Sequence, residues 1–141
     1  MIKKIFKMTF CLLLLLPNPL VAKDNNFQEG INYFNKEKFQ KAKFQFEQAI
    51  VLNPKSELSY LYLSKIFKKL EKKILEEQNL NSVILLNPKN EEATFNLAKL
   101  KLNSSDYLKS RELNEKLSTF CSKFCKKNKK LKIEIDNLSK K

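Results

Sequence analysis

Apolar side chains recur at steps of three and four residues along most of the chain, which is the spacing of one face of an α-helix. The clearest stripe consists of Phe39, Ala42, Phe46, Ala49 and Ile50. It predicts a helix over residues 37–52. A helix over residues 25–35 precedes it, with Asp24 or Asn25 as its N-cap.

The middle of the chain carries a stripe that changes phase once. Its first part consists of Leu63, Phe67, Leu70 and Ile74. Continued at the same spacing, it would meet polar residues, whereas apolar residues resume at Leu80 and Val83. One long helix over residues 56–86 is the rival interpretation, but the change of phase favours a turn near residues 70–73. Residues 69–73 contain no Gly, Pro, Asn or Asp to mark that turn.

The last third of the chain predicts three more helices. Residues 103–106, with the sequence Asn-Ser-Ser-Asp, form a turn that supplies an N-cap for the next helix. A final helix is predicted over residues 122–138, with Phe124, Leu131, Ile135 and Leu138 on its apolar side. The pattern therefore predicts an all-α fold of six repeated helices followed by a terminal helix.

A short phrase occurs twice in the chain, as Leu52-Asn53-Pro54-Lys55 and again as Leu86-Asn87-Pro88-Lys89. Proline cannot continue a helix, so each phrase ends one helix and leads into the next. The two phrases are separated by about 34 residues, the length of one tetratricopeptide helix-turn-helix unit, and we call this distance the repeat period. The residues that fit this unit at its expected intervals are Gly30, Tyr33, Ala42, Phe46, Ala49 and Pro54.

The chain thus resembles a tetratricopeptide repeat protein, and the resemblance implies an α-solenoid. Three units are expected over about residues 23–56, 57–90 and 91–124, with residues 125–141 as the lysine-rich remainder of a C-terminal capping helix. Glu76 departs from the family, which prefers alanine at that place, and this implies looser packing or a register shift. We expect Glu76 to be the least buried of the equivalent residues Ala42, Glu76 and Ser110.

The resemblance also implies a groove lined by the first helix of each unit. The family's groove positions fall on Phe27, Ile31, Phe34, Leu58, Leu61, Lys65, Lys68, Phe95, Lys99 and Leu102. Phe27 and Ile31 stand where relatives that clamp a C-terminal carboxylate use lysine and asparagine, so that clamp is not expected. An apolar or amphipathic peptide or protein with some acidic residues would suit such a face. The alternative is that the protein's own helices cover these apolar groups.

Residues 1–22 have the order of a secretory signal peptide. Basic residues precede an uncharged run from Met8 to Leu16, and Ala22 offers a small residue for cleavage. The apolar run is shorter than the roughly 20 residues that span a bilayer, so a membrane anchor is the weaker interpretation. Cys11 lacks the small residues that precede a lipidated cysteine. The leader predicts export to a bacterial periplasm.

The composition argues against an enzyme, a cofactor or a metal site. The chain has one glycine, no histidine and no tryptophan, which excludes glycine-rich phosphate loops and histidine-based catalysis or metal binding. Cys121 and Cys125 would be the only cysteines after cleavage. Four residues apart in a regular helix they lie too far apart to bond, so a disulfide needs a bend near residues 122–124, and free thiols are the alternative.

The formal net charge is +13, and residues 123–141 carry eight lysines against Glu134 and Asp136. This lysine-rich end is a solvated cap in one interpretation and a contact for anionic lipid or an acidic partner in the other. No aromatic platform for nucleic acid follows Phe124. The sequence thus predicts an exported, non-enzymatic binding or scaffold protein. The alternative is a membrane-associated assembly factor held at an anionic bilayer by its leader or its C-terminal helix.

Overall fold

The computed structural model describes residues 25–139. The predicted leader and Asp24, one of the two suggested caps, lie outside this range. Within it the chain contains helices and no strand. The helices are α1 (Asn25–Asn35), α2 (Phe39–Leu52), α3 (Glu57–Lys69), α4 (Lys73–Leu86), α5 (Glu91–Asn103), α6 (Tyr107–Ser118) and α7 (Cys125–Leu138). None of these helices is long and apolar enough to cross a membrane.

The two helices of each unit are joined by the same tight turn. Its central residue has a left-handed backbone, with φ of 55° at Glu37, 57° at Glu71 and 61° at Ser105. Each of these residues is one repeat period from the next. The residue after each of them donates its backbone N–H to a carbonyl five residues earlier, as Lys72 does to Phe67 at 2.9 Å.

This turn corrects one prediction and confirms another. The second helix of the first unit begins at Phe39 rather than at residue 37, because the left-handed Glu37 cannot be part of a right-handed helix. The turn near residues 70–73 is confirmed, and the rival long helix is wrong. Only the change of phase predicted this turn, because glutamate occupies the place where glycine or asparagine usually marks it.

A carboxylate at the start of α3, and another at the start of α5, joins its unit to the next inter-unit loop. Glu57 accepts hydrogen bonds from the side chains of Asn87 and Asn90 in the next inter-unit loop. One repeat period later, Glu91 accepts from the backbone N–H of Ser122 and of Phe124, both at 2.8 Å. The hydrogen bonds from Phe124 and then Ser122 hold the pKa of Glu91 below its usual range. They therefore persist at neutral pH and weaken only when the pH falls through that lowered pKa.

The first unit is closed by an aromatic core. Phe46 is fully buried, stacks on Tyr62 with ring centroids 4.9 Å apart, and meets the edge of Phe27. A Cβ atom on Gly30 would lie 2.7 Å from the Phe46 ring, so only glycine lets α1 approach α2 this closely. Gly30, Ala42 and Ala49 are all buried, as expected of small residues between paired helices.

The expected order of burial at the three equivalent positions is confirmed. Glu76 exposes 5% of its surface, whereas Ala42 and Ser110 expose none. Ser110 fits the alanine place because its hydroxyl donates to the backbone carbonyl of Ala98 at 2.8 Å. Glu76 is nevertheless a buried carboxylate, and its pKa is considered below.

The terminal helix begins later than predicted. A disulfide joins Cys121 and Cys125, whose Cα atoms are 5.3 Å apart. The sequence left open a disulfide or free thiols, and the structure has the disulfide. Residues 122–124 bend, and α7 starts at Cys125 rather than at residue 122. Cys125 lies one repeat period after Glu91, the first residue of α5. Helix α7 therefore occupies the place of the first helix of a fourth unit.

Helix α7 is held by apolar packing and by one polar pair. Leu131 and Ile135 are buried in the core that α5 and α6 share. Asn114 and Asn128 are also buried and bond reciprocally: each side-chain amide donates to the other residue's backbone carbonyl at 2.9 Å. Because both amides are satisfied only in this alignment, the pair sets how α7 is positioned along α6.

Candidate binding groove

The first helices of the units lie side by side and form one layer, which we call the inner layer: α1, α3, α5 and α7. Phe34 of α1 meets Tyr62 of α3 with ring centroids 5.2 Å apart. Lys65 of α3 pairs with Glu92 of α5 at 2.9 Å. Helices α5 and α7 are also in contact. The groove positions predicted from the sequence all lie on α1, α3 and α5 of this layer.

The end of the layer near α1 is aromatic. Phe27, Ile31 and Phe34 are half-buried and pack beside the core around Phe46. Phe27 and Phe34 both meet Tyr62, edge to face. Leu58, at the start of α3, is exposed. This end therefore presents apolar surface that the neighbouring helices cover only in part.

Two predicted groove residues belong to the core instead. Leu61 and Leu102 are buried in the cluster that also contains Leu80, Leu97 and Leu113. The second helices of the units, α2, α4 and α6, form an outer layer. Its helices α4 and α6 contribute Leu80 and Leu113 to this cluster, so neither Leu61 nor Leu102 is available to a partner. The places one repeat period before and after Leu61 carry Phe27 and Phe95, which are half-buried. The same repeat position thus differs in burial because its neighbours differ from unit to unit.

The middle of the layer is basic, but its lysines are not equivalent. Lys65 is engaged twice, by the ion pair with Glu92 and by the Tyr62 ring, whose centroid is 5.1 Å from the Lys65 ammonium. Lys68 is exposed. Lys68 and Lys99 form no ion pair with any residue in the described range 25–139. Lys68 lies near the buried Glu76 carboxyl and partly offsets its charge, so Lys99 has the charge that is more available to an acidic group from outside.

Lys99 separates two open cavities of about 420 Å³ each. The first lies between the α3–α4 turn and α5, and its lining includes Lys68, Lys73 and Glu76. The second lies between α5 and α7, and its lining includes Phe95, Lys127 and Lys130. Phe95 is half-buried and packs on Phe124, with ring centroids 5.5 Å apart. Glu71 and Glu76 also line the first cavity and Glu134 the second, so each cavity has depth and a small excess of lysines over carboxylates.

The buried Glu76 predicts a pH-dependent stability. Burial raises the pKa of its carboxyl, and the nearby Lys68 ammonium offsets part of that rise. A group with a raised pKa binds more protons in the folded than in the unfolded state, so stability falls as the pH rises through that pKa. We expect Glu76→Gln to increase the free energy of unfolding at pH 7 by about 1 kcal/mol, because the amide carries no charge to desolvate.

Urea denaturation of both proteins at pH 7 and near pH 4 measures this effect. The advantage of the variant should shrink as the pH falls through the raised pKa of Glu76, and it should be lost below the ordinary carboxyl pKa of 4.5, where glutamate is neutral in both states. An advantage of the same size at both pH values would show that shape rather than charge is responsible.

Several lining residues were missed by the sequence analysis. Tyr62 follows the family's groove place by one residue, so it was not considered. Glu92 lies one repeat period after Leu58, a predicted groove residue. Applying the repeat period to Leu58 would therefore have identified Glu92 as a groove residue. Lys127 and Lys130 belong to α7, which was expected to cap the stack rather than to line it.

Comparison with known proteins places the fold. Neither the models of protein families nor the curated proteins include a match to this sequence. Solved structures do match. The chaperone SycD of Yersinia enterocolitica, in complex with a peptide of the translocator YopD, has a TM-score of 0.75 at 13% identity and covers 88% of this chain and 100% of its own. The TPR2B domain of yeast Sti1, in a complex with pHsp70, has a TM-score of 0.74 at 17% identity and covers 81% of this chain and 95% of its own.

A third structure agrees with these two. The first TPR domain of Spaghetti (RPAP3), bound to an HSP90 peptide, has a TM-score of 0.73 at 14% identity and covers 82% of this chain and 91% of its own. Because the sequence identities are this low, the three structures show a shared fold and not a shared function. Together with the regular spacing of the left-handed turns and of the inter-unit carboxylates, they show that this chain has the tetratricopeptide repeat fold.

Proposed function

We propose that this protein is a non-enzymatic binding module that takes an amphipathic, acidic segment of a partner protein along its inner layer. The observation that carries the proposal is the order of surfaces on that layer. An aromatic end at Phe27 and Phe34 is followed by a basic region in which Lys68 and Lys99 have no internal ion pair among the described residues. A partner with apolar residues followed by carboxylates would complement both parts.

The aromatic end supplies contact area at little entropic cost. Side chains such as Phe27 and Phe34 are already held by Phe46, Phe39 and Tyr62, so little rotamer freedom remains to be lost on binding. Phe27 and Phe95 are partly exposed, as expected of anchors. Both also pack against the core clusters, so removing either ring would change stability together with binding. The lysines therefore give the cleaner test.

The structural neighbours and the sequence support this proposal in different ways. SycD and Spaghetti were both solved with a bound peptide, so other chains with this fold bind peptides. The leader pattern of residues 1–22 supports export, and we propose the bacterial periplasm as the place of action. The partner would then be another exported protein or the exported part of a membrane protein.

Site-specific photocrosslinking in the producing cells tests the proposal. A photoreactive residue at Leu58, on the inner layer, should yield a defined adduct, whereas one at the exposed Leu108 of α6 should not. In the Leu58 background, Lys68→Glu with Lys99→Glu should lower the adduct per folded molecule about tenfold or more, because two favourable charge pairs become repulsive. Lys99→Glu alone should also lower it, and this variant keeps the Lys68 ammonium that offsets the burial of Glu76. Lys72→Glu with Lys116→Glu changes the net charge equally outside the inner layer and should have little effect.

Two outcomes would contradict the groove. Adducts of equal yield at Leu58 and Leu108 would show that contact is not confined to the inner layer. An equal loss in both charge-reversed pairs would show that net charge, rather than the site, governs association. A yield that survives both pairs but falls when the lysines of α7 are neutralised would favour the alternative of a factor held through its C-terminal helix.

A further inference from the structure

Apolar side chains stand out at one edge of the helical stack, which we call the loop edge: the inter-unit loops at residues 53–56, 87–90 and 119–124, with the helix ends that flank them. Val51 and Leu52 end α2, and Leu85 and Leu86 end α4, at equivalent places of successive units. All four are exposed, Leu85 to 83%. Leu58, which follows the first loop, is exposed as well.

The loop edge is continuous. Glu57, which follows the first loop, accepts a hydrogen bond from Asn87 in the second loop at 3.1 Å. Glu91, which follows the second loop, accepts from Ser122 in the third at 2.8 Å. These contacts place the three loops next to one another along the stack. The exposed apolar pairs therefore form a row rather than isolated groups.

Each loop adds one lysine to this row. Lys55, Lys89 and Lys123 recur at the repeat period, and all three are exposed. The loops contain no carboxylate. The carboxylates that directly follow the first and second loops, Glu57 and Glu91, are engaged by amide and backbone donors of the loops. The loop edge therefore combines exposed apolar groups with positive charge that no acidic loop residue balances.

We propose that the loop edge rests on an anionic lipid surface. Apolar side chains beside lysines suit the boundary between headgroups and acyl chains, because the apolar groups enter the boundary while the ammonium groups meet lipid phosphates. The repetition of the same chemistry along an edge suits a flat, fluid surface, which needs no shape complementarity. Leu58 of α3 borders both surfaces, but Val51, Leu52, Leu85 and Leu86 belong to α2 and α4 and not to the inner layer, so the proposal does not depend on the peptide-binding function.

A tryptophan reporter in the full chain tests the proposal, because the natural sequence contains none. Vesicles of equimolar phosphatidylglycerol and phosphatidylcholine should shift the emission of Leu85→Trp to the blue, and brominated lipid should quench it. Leu108→Trp is the matched control, since Leu108 is exposed to 84% and lies in the first turn of α6, at the opposite edge. Its emission should not change. Residues 1–24 are common to both variants, so any binding through them does not distinguish the two sites.

The lysines provide the second comparison. In the Leu85→Trp background, Lys55, Lys89 and Lys123 are replaced together by glutamine. The vesicle concentration that gives half of the emission shift should then rise about 100-fold, because each lysine at an anionic surface contributes about 1 kcal/mol of binding free energy. Replacing Lys129, Lys130 and Lys132 of α7 by glutamine removes the same charge and should raise it far less.

Four results would overturn the proposal. They are no shift at residue 85, an equal shift at residue 108, a shift that persists with pure phosphatidylcholine, and a larger loss in the α7 triple variant. The last would assign lipid contact to α7. A shift at residue 85 that is produced by an acidic protein and not by vesicles would assign the loop edge to protein docking instead.

Discussion

Phe46→Ala is expected to lower the free energy of unfolding by about 3–5 kcal/mol, the usual cost of removing a buried phenylalanine ring. Phe46 is fully buried, and its ring fills the space that the absent side chain of Gly30 leaves between α1 and α2. Tyr62 stacks on it from the next unit, and Phe27 meets its edge. Because its neighbours belong to two units, the cavity cannot collapse by the movement of one helix.

The control for this variant lies two residues away. Phe44 is on the same helix and has the same side chain, but it is exposed to 58%. Phe44→Ala should change stability by no more than about 0.5 kcal/mol. Urea denaturation followed by far-ultraviolet circular dichroism measures both variants. Similar losses for the two would mean that α2 is rotated relative to the arrangement described above.

Ile135→Ala is expected to cost about 2–5 kcal/mol, the range for truncating a buried isoleucine. Ile135 exposes 1% of its surface and packs in the core that also contains Leu97 and Leu113. This variant tests whether α7 belongs to the fold as the first helix of a fourth unit. If α7 were a loosely attached cap, the loss would be confined to α7 and the rest of the chain would unfold at the same denaturant concentration as before.

Ile133 provides the matched control on α7, because it is exposed to 62%. Ile133→Ala should remain within about 0.5 kcal/mol of the natural protein. Amide hydrogen exchange adds a readout that local fraying cannot imitate. Ile135→Ala should speed exchange in α5 and α6 as well as in α7 if the three helices unfold together. Faster exchange in α7 alone would contradict a shared core.

An integral α7 matters for the groove, because α7 forms one wall of a cavity on the inner layer. Lys127 and Lys130 of α7 face Phe95 and Lys99 of α5 across that cavity. The disulfide between Cys121 and Cys125 closes the loop before α7, and Glu91 accepts hydrogen bonds from the same loop. The end of the stack is therefore joined to α5 by the same carboxylate contact that joins the second and third units.

The sequence by itself determined the features that depend on spacing along one helix or on a single residue type. The apolar stripe of α2, the ends of α2 and α4 before Pro54 and Pro88, and the small residue Gly30 between α1 and α2 were all predicted correctly. These properties are local. A stripe at helical period has to be buried whatever covers it, and proline ends a helix in any surroundings.

The tertiary structure decided the features that depend on how one helix faces its neighbours. Leu61 and Leu102 occupy groove positions of the repeat, yet the outer helices bury them, while Phe95 at the place equivalent to Leu61 stays half-exposed. Lys65 and Lys99 are equivalent in sequence, but of these two only Lys65 forms an ion pair within residues 25–139. The two lysines differ in available charge because Glu92 of α5 lies opposite Lys65 of α3. This contact joins two different helices, so the spacing of residues along either helix cannot predict it.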